Sequence, residues 1–225
     1  MPVHVAFTPG EAAPAAVGVV VDVLRATSTI AQALASGYER VLCCAEIEEA
    51  RALRAELPDS LLGGERQAIR VEGFDVGASP REFLEARART LILSTTNGTR
   101  AILETSRRCE RVLLGSLLNL SAVAEAAGSD DVGVVCAGFQ GGFALDDVYC
   151  AGRIVQLLGG ERTHAATAAE LVARAFPSSL EALNARTYGP PGLEEDIAYC
   201  AQEDLLDVVP ELAGVAGAAA EILSR

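Results

Sequence analysis

The feature that most constrains the fold is the alternation of short apolar runs with longer stretches in which apolar residues recur at helical spacing. This alternation is typical of a parallel sheet covered by helices on both faces. We therefore predict an α/β protein with a three-layer α/β/α fold and a mostly parallel central sheet. The predicted strands are residues 17–21, 41–44, 91–93, 112–114 and 132–136.

Beyond Gly159 and Gly160 the strand signal fades, and a helical pattern dominates to Arg225. Only a turn-rich break at residues 188–192 interrupts it. We predict a helix-rich C-terminal third within a single α/β domain spanning residues 1–225. The pattern leaves open whether residues 160–225 form a helical subdomain or the remaining edge of the sheet.

The charge of the chain limits its partners. The 225 residues carry a formal charge of −13, which disfavours nucleic acid and membrane surfaces as partners. All 18 basic residues are arginines, so lysine-dependent chemistry is excluded. Arginine binds phosphate and carboxylate in bidentate fashion, and a small anionic substrate is expected. Whether the chain forms a homo-oligomer stays open.

The six cysteines form no C-x-x-C pair, and we expect them to be buried thiols in a reducing cytoplasm. The N-terminus has no secretion-signal pattern, and no apolar run approaches the length of a membrane span. The predicted location is cytoplasmic.

Polar loops follow four apolar runs. They are residues 22–28, 63–66, 95–100 and 137–147. In an open parallel sheet the carboxyl ends of the strands share one edge, and ligands bind in the crevice there. We therefore expect the four loops to face one cleft.

Acidic residues in these loops predict a metal site. Clustered carboxylates repel one another unless a cation lies among them, and ligands that are all oxygen suit Mg²⁺. The predicted metal ligands are Asp22, Glu65, Asp146 and Asp147. Other interpretations stay open, because Asp22 could cap the following turn and the Asp146–Asp147 pair could complement a helix dipole.

The loop at residues 95–100 follows a strand and precedes a helix, which is typical of an anion site, and the anion we expect is phosphate. Arg25 and Arg66 lie in neighbouring loops, and Ser79 starts a capping box with Glu82. A tight turn at Asn97-Gly98 is the alternative. The predicted phosphate-binding residues are Thr27, Ser28, Arg66, Ser79, Thr95, Thr96, Asn97, Gly98, Thr99 and Arg100. Three acids nearer the C-terminus, Asp196, Glu203 and Asp204, are expected on solvated helix faces.

Several phosphatase classes are excluded. No cysteine is followed six positions later by arginine, and a phosphate loop containing lysine is absent. The segment from Asp22 partly matches the haloacid-dehalogenase phosphatases, but their second aspartate would fall at Leu24 and their lysine is missing.

Taken together, the loops resemble the 2-phosphosulfolactate phosphatase family. The matching segments are residues 22–30, 64–66, 73–80, 95–101, 115–119, 136–138 and 147–152. The resemblance implies an α/β/α fold, dependence on Mg²⁺, and hydrolysis of 2-phosphosulfolactate to sulfolactate on a route to coenzyme M. One departure is Asp146, where the family more often has glutamate.

The mechanistic hypothesis assigns catalytic roles to Asp22, Arg25 and Asp147. The acids would hold Mg²⁺ while the arginines and the 95–99 amides bind the phosphomonoester. Spacing does not decide whether Asp22 or a water attacks phosphorus. A non-catalytic protein that senses a phosphorylated or sulfonated metabolite is the alternative, and a nucleotide-dependent transferase is a third interpretation.

Overall fold

Short apolar runs form the strands of one sheet. The computed structural model describes residues 2–128, 131–187, 189–217 and 219–225. All five predicted strands are confirmed, each lying within β2, β3, β6, β7 or β8. The strands are β1 (Pro2–Ala6), β2 (Ala15–Val21), β3 (Arg40–Cys44), β4 (Leu61–Arg66), β5 (Ile69–Arg70), β6 (Thr90–Ser94), β7 (Cys109–Gly115), β8 (Val132–Cys136), β9 (Glu161–Arg162), β10 (Pro210–Ala216) and β11 (Ala219–Ser224).

The intervening helical patterns form α-helices. They are α1 (Ala26–Ala35), α2 (Ile47–Glu56), α3 (Gly98–Ser106), α4 (Leu120–Ala127), α5 (Leu145–Leu157), α6 (His164–Ala175), α7 (Ser179–Asn184) and α8 (Glu194–Cys200). The Ser79 capping box starts only a short 3₁₀ helix, Pro80–Phe83, in which Glu82 accepts the Ser79 N–H at 3.3 Å. No helix in the described residues is both long and apolar enough to cross a membrane.

The sheet order is β5-β4-β6-β3-β11-β10-β7-β2-β8-β1-β9. Within each of two groups, β4-β6-β3 and β7-β2-β8-β1-β9, the strands are parallel. The antiparallel pair β10–β11 lies between them, with β11 antiparallel to β3 and β10 antiparallel to β7. The three antiparallel pairings β3–β11, β11–β10 and β10–β7 thus lie between the two parallel groups. The strands of one group therefore run in the opposite direction to the strands of the other. The mostly parallel sheet is confirmed, but it is not one continuous parallel sheet.

The C-terminal third is helix-rich, as predicted, but the expectation of helical pattern up to Arg225 was wrong. Its last residues form β10 and β11 in the middle of the sheet, rather than a helical subdomain or an edge. Ala220 and Ile222 are buried at alternate positions, which is strand periodicity. Alanine and glycine have low strand propensity, so pairing with β3 and β7 overrides the local preference.

The helices α1 and α3 cover one face of the sheet. Residues 26–34 of α1 are all buried. Side chains of α1 and α3 share one core with side chains of β2, β3, β6, β7 and β11. On the other face, α4, α5 and α6 cover β1, β2 and β8, and α2 covers β3, β4 and β6. The α/β/α layering is confirmed.

Candidate active site

A cavity of about 410 Å³ lies where the loops after β2, β4, β6 and β8 meet. This volume is typical of small-molecule sites. The predicted cleft therefore exists, and its lining includes seven predicted site residues. They are Asp22, Arg25, Glu65, Thr95, Thr96, Asn97 and Asp146.

Close packing at Gly98, rather than a shared sheet edge, brings the loops together. The chain leaves β6 and enters α3, which packs against β2 and β7 of the other strand group. A Cβ at Gly98 would lie 2.3 Å from the Ala26 Cβ and 2.7 Å from Asp22 Oδ2. Only glycine allows this approach, which seats the β6 loop against the β2 loop.

Asp22 is buried at the end of β2. Its Oδ1 accepts the Ala26 N–H at 3.2 Å, and its backbone carbonyl accepts the Thr27 hydroxyl at 2.9 Å. Burial raises the pKa of Asp22 to about 7, and the negative charges of Glu65 and Asp146 add to the rise. Asp22 can therefore change protonation state near neutral pH.

Glu65, at the end of β4, fixes two further loops. Its Oε1 accepts the Thr96 N–H at 2.8 Å and the Thr96 hydroxyl at 3.0 Å. Its Oε2 accepts the Ala68 N–H at 2.6 Å. The Thr96 side chain thus already has a carboxylate partner.

Asp146 and Asp147 begin α5 and are both buried. Asp146 lines the cavity, and its Oδ1 accepts the Asp147 N–H at 3.0 Å. Asp147 is not among the lining residues: its two oxygens accept the Val23 and Gly138 N–H groups, each at 2.9 Å. Burial raises the pKa of Asp147 well above its usual range, and Asp146 and Asp22 add to the rise. Asp147 therefore joins the β2 loop to the β8 loop.

Arg25 is held from two sides. Its Nη1 donates to Asp196 Oδ2 at 2.6 Å, and its Nη2 donates to the Ala68 carbonyl at 3.0 Å. The other oxygen of Asp196 accepts the Ser79 hydroxyl at 2.5 Å. Ser79 thus contacts Asp196 and does not line the cavity. The expectation that Asp196 lies on a solvated helix face was wrong, because its side chain is only 7% exposed.

The other two acids expected on solvated faces also have partners. Glu203 pairs with Arg153 and accepts the Ser179 hydroxyl. Asp204 accepts the N–H and the hydroxyl of Ser121 at 2.6 and 2.7 Å. Both link neighbouring segments.

Two predicted phosphate-binding arginines lie away from the cavity lining. Arg66 donates to the backbone carbonyls of Glu65, Ala45 and Ser94 and to the Ser94 hydroxyl. Arg100 pairs with Glu46 at 2.9 Å, and its side chain is 62% exposed. Their role in phosphate binding stays a prediction.

The predicted hydroxyl groups are largely bonded within the chain. Thr95 Oγ1 accepts the Thr99 N–H at 3.3 Å and lies 3.2 Å from Thr99 Oγ1, so it caps the start of α3. Ser28 donates to the Val23 carbonyl at 2.8 Å. Thr27 and Ser28 therefore shape the Asp22 loop from behind the cavity.

One wall of the cavity was not predicted from the sequence. Arg186, Gly189, Pro190 and Leu193, between α7 and α8, line it. The turn-rich break at residues 188–192 was the only signal, and nothing local connected it with Asp22. Residue 188 lies outside the described residues.

The structure also bears on a metal ion. No group of three or more His, Cys, Asp or Glu side chains in the described ranges is arranged to hold one. The donors that line the cavity are nevertheless carboxylate oxygens. Burial raises the pKa of Asp22, and the negative charges of Glu65 and Asp146 add to the rise. Mg²⁺ in proteins often takes only one or two carboxylates, with waters and substrate phosphate as further ligands. The donor set fits such an ion.

The six cysteines are free and buried, as predicted. Burial raises the pKa of the Cys136 and Cys150 thiols well above the usual range, and Asp147 adds to both rises. Neither is suited to act as a thiolate nucleophile.

Comparison with known proteins agrees with the resemblance in the loops. The family model described as 2-phosphosulpholactate phosphatase matches residues 4–214. A protein of Thermus thermophilus is 40% identical over 213 residues, covering 89% of each chain. One of Gloeobacter violaceus is 42% identical over 204 residues, covering 85% of this chain and 86% of its own. Both carry the name "probable 2-phosphosulfolactate phosphatase". The chain therefore belongs to the 2-phosphosulpholactate phosphatase family, whose members are phosphoric monoester hydrolases.

Proposed function

We propose that this protein is a Mg²⁺-dependent phosphatase that hydrolyses 2-phosphosulfolactate to sulfolactate and phosphate, on a route to coenzyme M. The names of its relatives support the substrate. The observation that carries the proposal is that Asp22, Glu65 and Asp146 line the same cavity as Arg25.

The cavity residues account for the chemistry of phosphate release. Arg25, held by Asp196 and the Ala68 carbonyl, presents a fixed positive charge to the phosphoryl oxygens, over which negative charge is spread in the transition state. The ester P–O bond breaks, a new P–O bond forms to the attacking oxygen, and the departing sulfolactate oxygen takes up a proton, from the attacking water or from solvent. If Asp22 attacks, a water then hydrolyses the acyl phosphate, which releases phosphate and restores the carboxylate. Both Asp22 and a water stay candidates for the attacking group.

Mg²⁺ would be held by one or two of the carboxylates of Asp22, Glu65 and Asp146, with waters and the substrate phosphate as further ligands, and Asp147 stays a predicted ligand. The bound ion would supply charge neutralisation for the phosphate. Glu65 already orders two loops through its oxygens, so its contacts position the donor set.

A phosphate-release assay tests the proposal. It compares 2-phosphosulfolactate, 2-phospholactate and unrelated phosphomonoesters, each with Mg²⁺ and with a chelator. We expect turnover of 2-phosphosulfolactate, its loss with chelator, and its loss in Asp22→Asn. Saturable binding of these esters without any phosphate release would contradict the proposal and favour a binding protein.

We also propose a reducing cytoplasm as the location, since six buried free thiols are compatible with it. Titration with a thiol reagent should find few reactive groups in the protein purified from its native host and six after unfolding. Fewer than six after unfolding under non-reducing conditions would indicate a disulfide instead.

A further inference from the structure

Two arginines are found among the described residues that line the cavity, Arg25 and Arg186. They come from distant parts of the chain: Arg25 precedes α1, and Arg186 follows α7. If both served the phosphate, the other anionic groups of the proposed substrate would lack a guanidinium. The two arginines can therefore bind different anionic groups of the substrate.

Arg25 lies close to one of the acids that line the cavity. It is near enough to Asp22 to oppose the rise in the pKa of that carboxyl. Its Nη1 and Nη2 are fixed by Asp196 and the Ala68 carbonyl. This places its charge beside the group assigned to phosphate chemistry.

Arg186 packs against a glycine in the cavity wall between α7 and α8. A Cβ on Gly189 would lie 2.5 Å from Arg186 Nη1, so the guanidinium packs directly against the glycine. Gly189 also has a φ of +87°, a conformation that L side chains rarely adopt. A side chain at position 189 would therefore be strained and would meet the Arg186 guanidinium.

The chemistry of the substrate suggests what Arg186 binds. Under the proposed function, on which this step rests, the substrate carries a phosphate, a carboxylate and a sulfonate. A sulfonate is ionised at any physiological pH, and its weakly basic oxygens are poor ligands for Mg²⁺. The planar fork of an arginine provides paired N–H donors for such a group.

We propose that Arg186, seated against Gly189, is the specificity-determining residue that binds the sulfonate of the substrate. The phosphate is left to Arg25 and the acidic side of the cavity. Arg186 thereby distinguishes a sulfonated phosphoester from its unsulfonated analogue.

The test compares 2-phosphosulfolactate with 2-phospholactate, which lacks the sulfonate, in the wild type, Arg186→Gln and Gly189→Ala. We expect Arg186→Gln to lower kcat/KM for 2-phosphosulfolactate by about 10- to 100-fold, mainly through KM, and to change it little for 2-phospholactate. Gly189→Ala should act in the same direction, because its methyl group displaces the guanidinium. Arg174→Gln is the matched control, since that side chain is 64% exposed and pairs with Glu170 on α6.

A binding measurement separates this inference from the proposed function. Titration calorimetry with sulfolactate and with lactate needs no turnover, and Arg186→Gln should weaken sulfolactate binding alone. Absence of phosphate release with Arg186-dependent sulfolactate binding would overturn the proposed function and leave the sulfonate site standing. Equal losses on both esters, or unchanged sulfolactate binding in a folded Arg186→Gln protein, would overturn the sulfonate site.

Discussion

Arg25 and Asp196 lie 171 positions apart in the sequence, yet the guanidinium donates to the carboxylate at 2.6 Å, with both side chains less than a tenth exposed. The pair connects the loop after β2 with α8, in the C-terminal third. It makes that third part of the candidate active site.

Replacing Asp196 should therefore affect both stability and activity. Asp196→Asn leaves the buried Arg25 charge without its partner, which typically costs about 3–5 kcal/mol, and it frees the guanidinium to move. We expect a lower free energy of unfolding in urea and a kcat/KM reduced by about tenfold or more.

Ser79→Ala is the comparison for Asp196→Asn, because it removes the hydroxyl that donates to Asp196 and keeps the pair with Arg25. Its effect on kcat/KM should be smaller. In a double-mutant cycle, the effects of Asp196→Asn and Arg25→Gln should not add. Additive effects would mean that Asp196 does not act through Arg25.

Gly98→Ala tests the contact that joins the two strand groups. The methyl group would overlap the Ala26 Cβ and press on Asp22 Oδ2, so we expect a loss of about 1–3 kcal/mol in stability and a larger loss in kcat. Thermal melts and steady-state assays measure both. Gly159→Ala is the control, because nothing lies within 4 Å of its Cβ position. Equal changes in stability and kcat in the two variants would show that a Cβ at residue 98 makes no close contact.

Asp22 should make stability depend on pH. The folded protein keeps a proton on Asp22 up to a pKa of about 7, whereas the unfolded chain releases it near 3.8. The folded state thus binds more protons between these values, so the free energy of unfolding falls as pH rises through that interval.

The pH effect can be measured by urea unfolding at pH 5 and pH 8 without divalent ions. The wild type should lose free energy of unfolding between pH 5 and pH 8, and Asp22→Asn should make this loss smaller by roughly 2–3 kcal/mol, with a remaining loss from Asp147. Added Mg²⁺ should stabilise the wild type more at pH 8, where Asp22 is ionised. A wild type and an Asp22→Asn variant with the same pH profile would contradict the raised pKa.

Arg25 and Arg100, both predicted to bind phosphate, should differ in their importance for activity. Arg25 lines the cavity and is buried, whereas Arg100 is exposed and paired with Glu46. We expect Arg25→Gln to lower kcat/KM by about 100-fold and Arg100→Gln by less than about threefold. A large loss in Arg100→Gln would restore the phosphate role predicted for it from the loop at residues 95–100.

Much of the site was visible in the sequence, because its residues follow strands directly. Asp22, Glu65 and Thr95 each come at the end of an apolar run, and local pattern is enough to place such residues at strand ends. The α/β alternation and the family resemblance were likewise encoded in short segments. Both were confirmed.

The remaining features depend on contacts between residues far apart in the chain, which no local pattern records. The β10–β11 pair enters the middle of the sheet although its alanines and glycines have low strand propensity, because β3 and β7 offer it backbone partners and a buried face. In the sequence, Asp196 is one of three acids in the first turn of a helix. Only the packing of α8 against the 3₁₀ helix Pro80–Phe83 brings it to Arg25 and Ser79. The sequence by itself determined which residues end the strands. Only the tertiary structure decided that Gly98 rests on Asp22 and that Arg186 joins the same cavity, since burial and close packing act between segments that chain order does not relate.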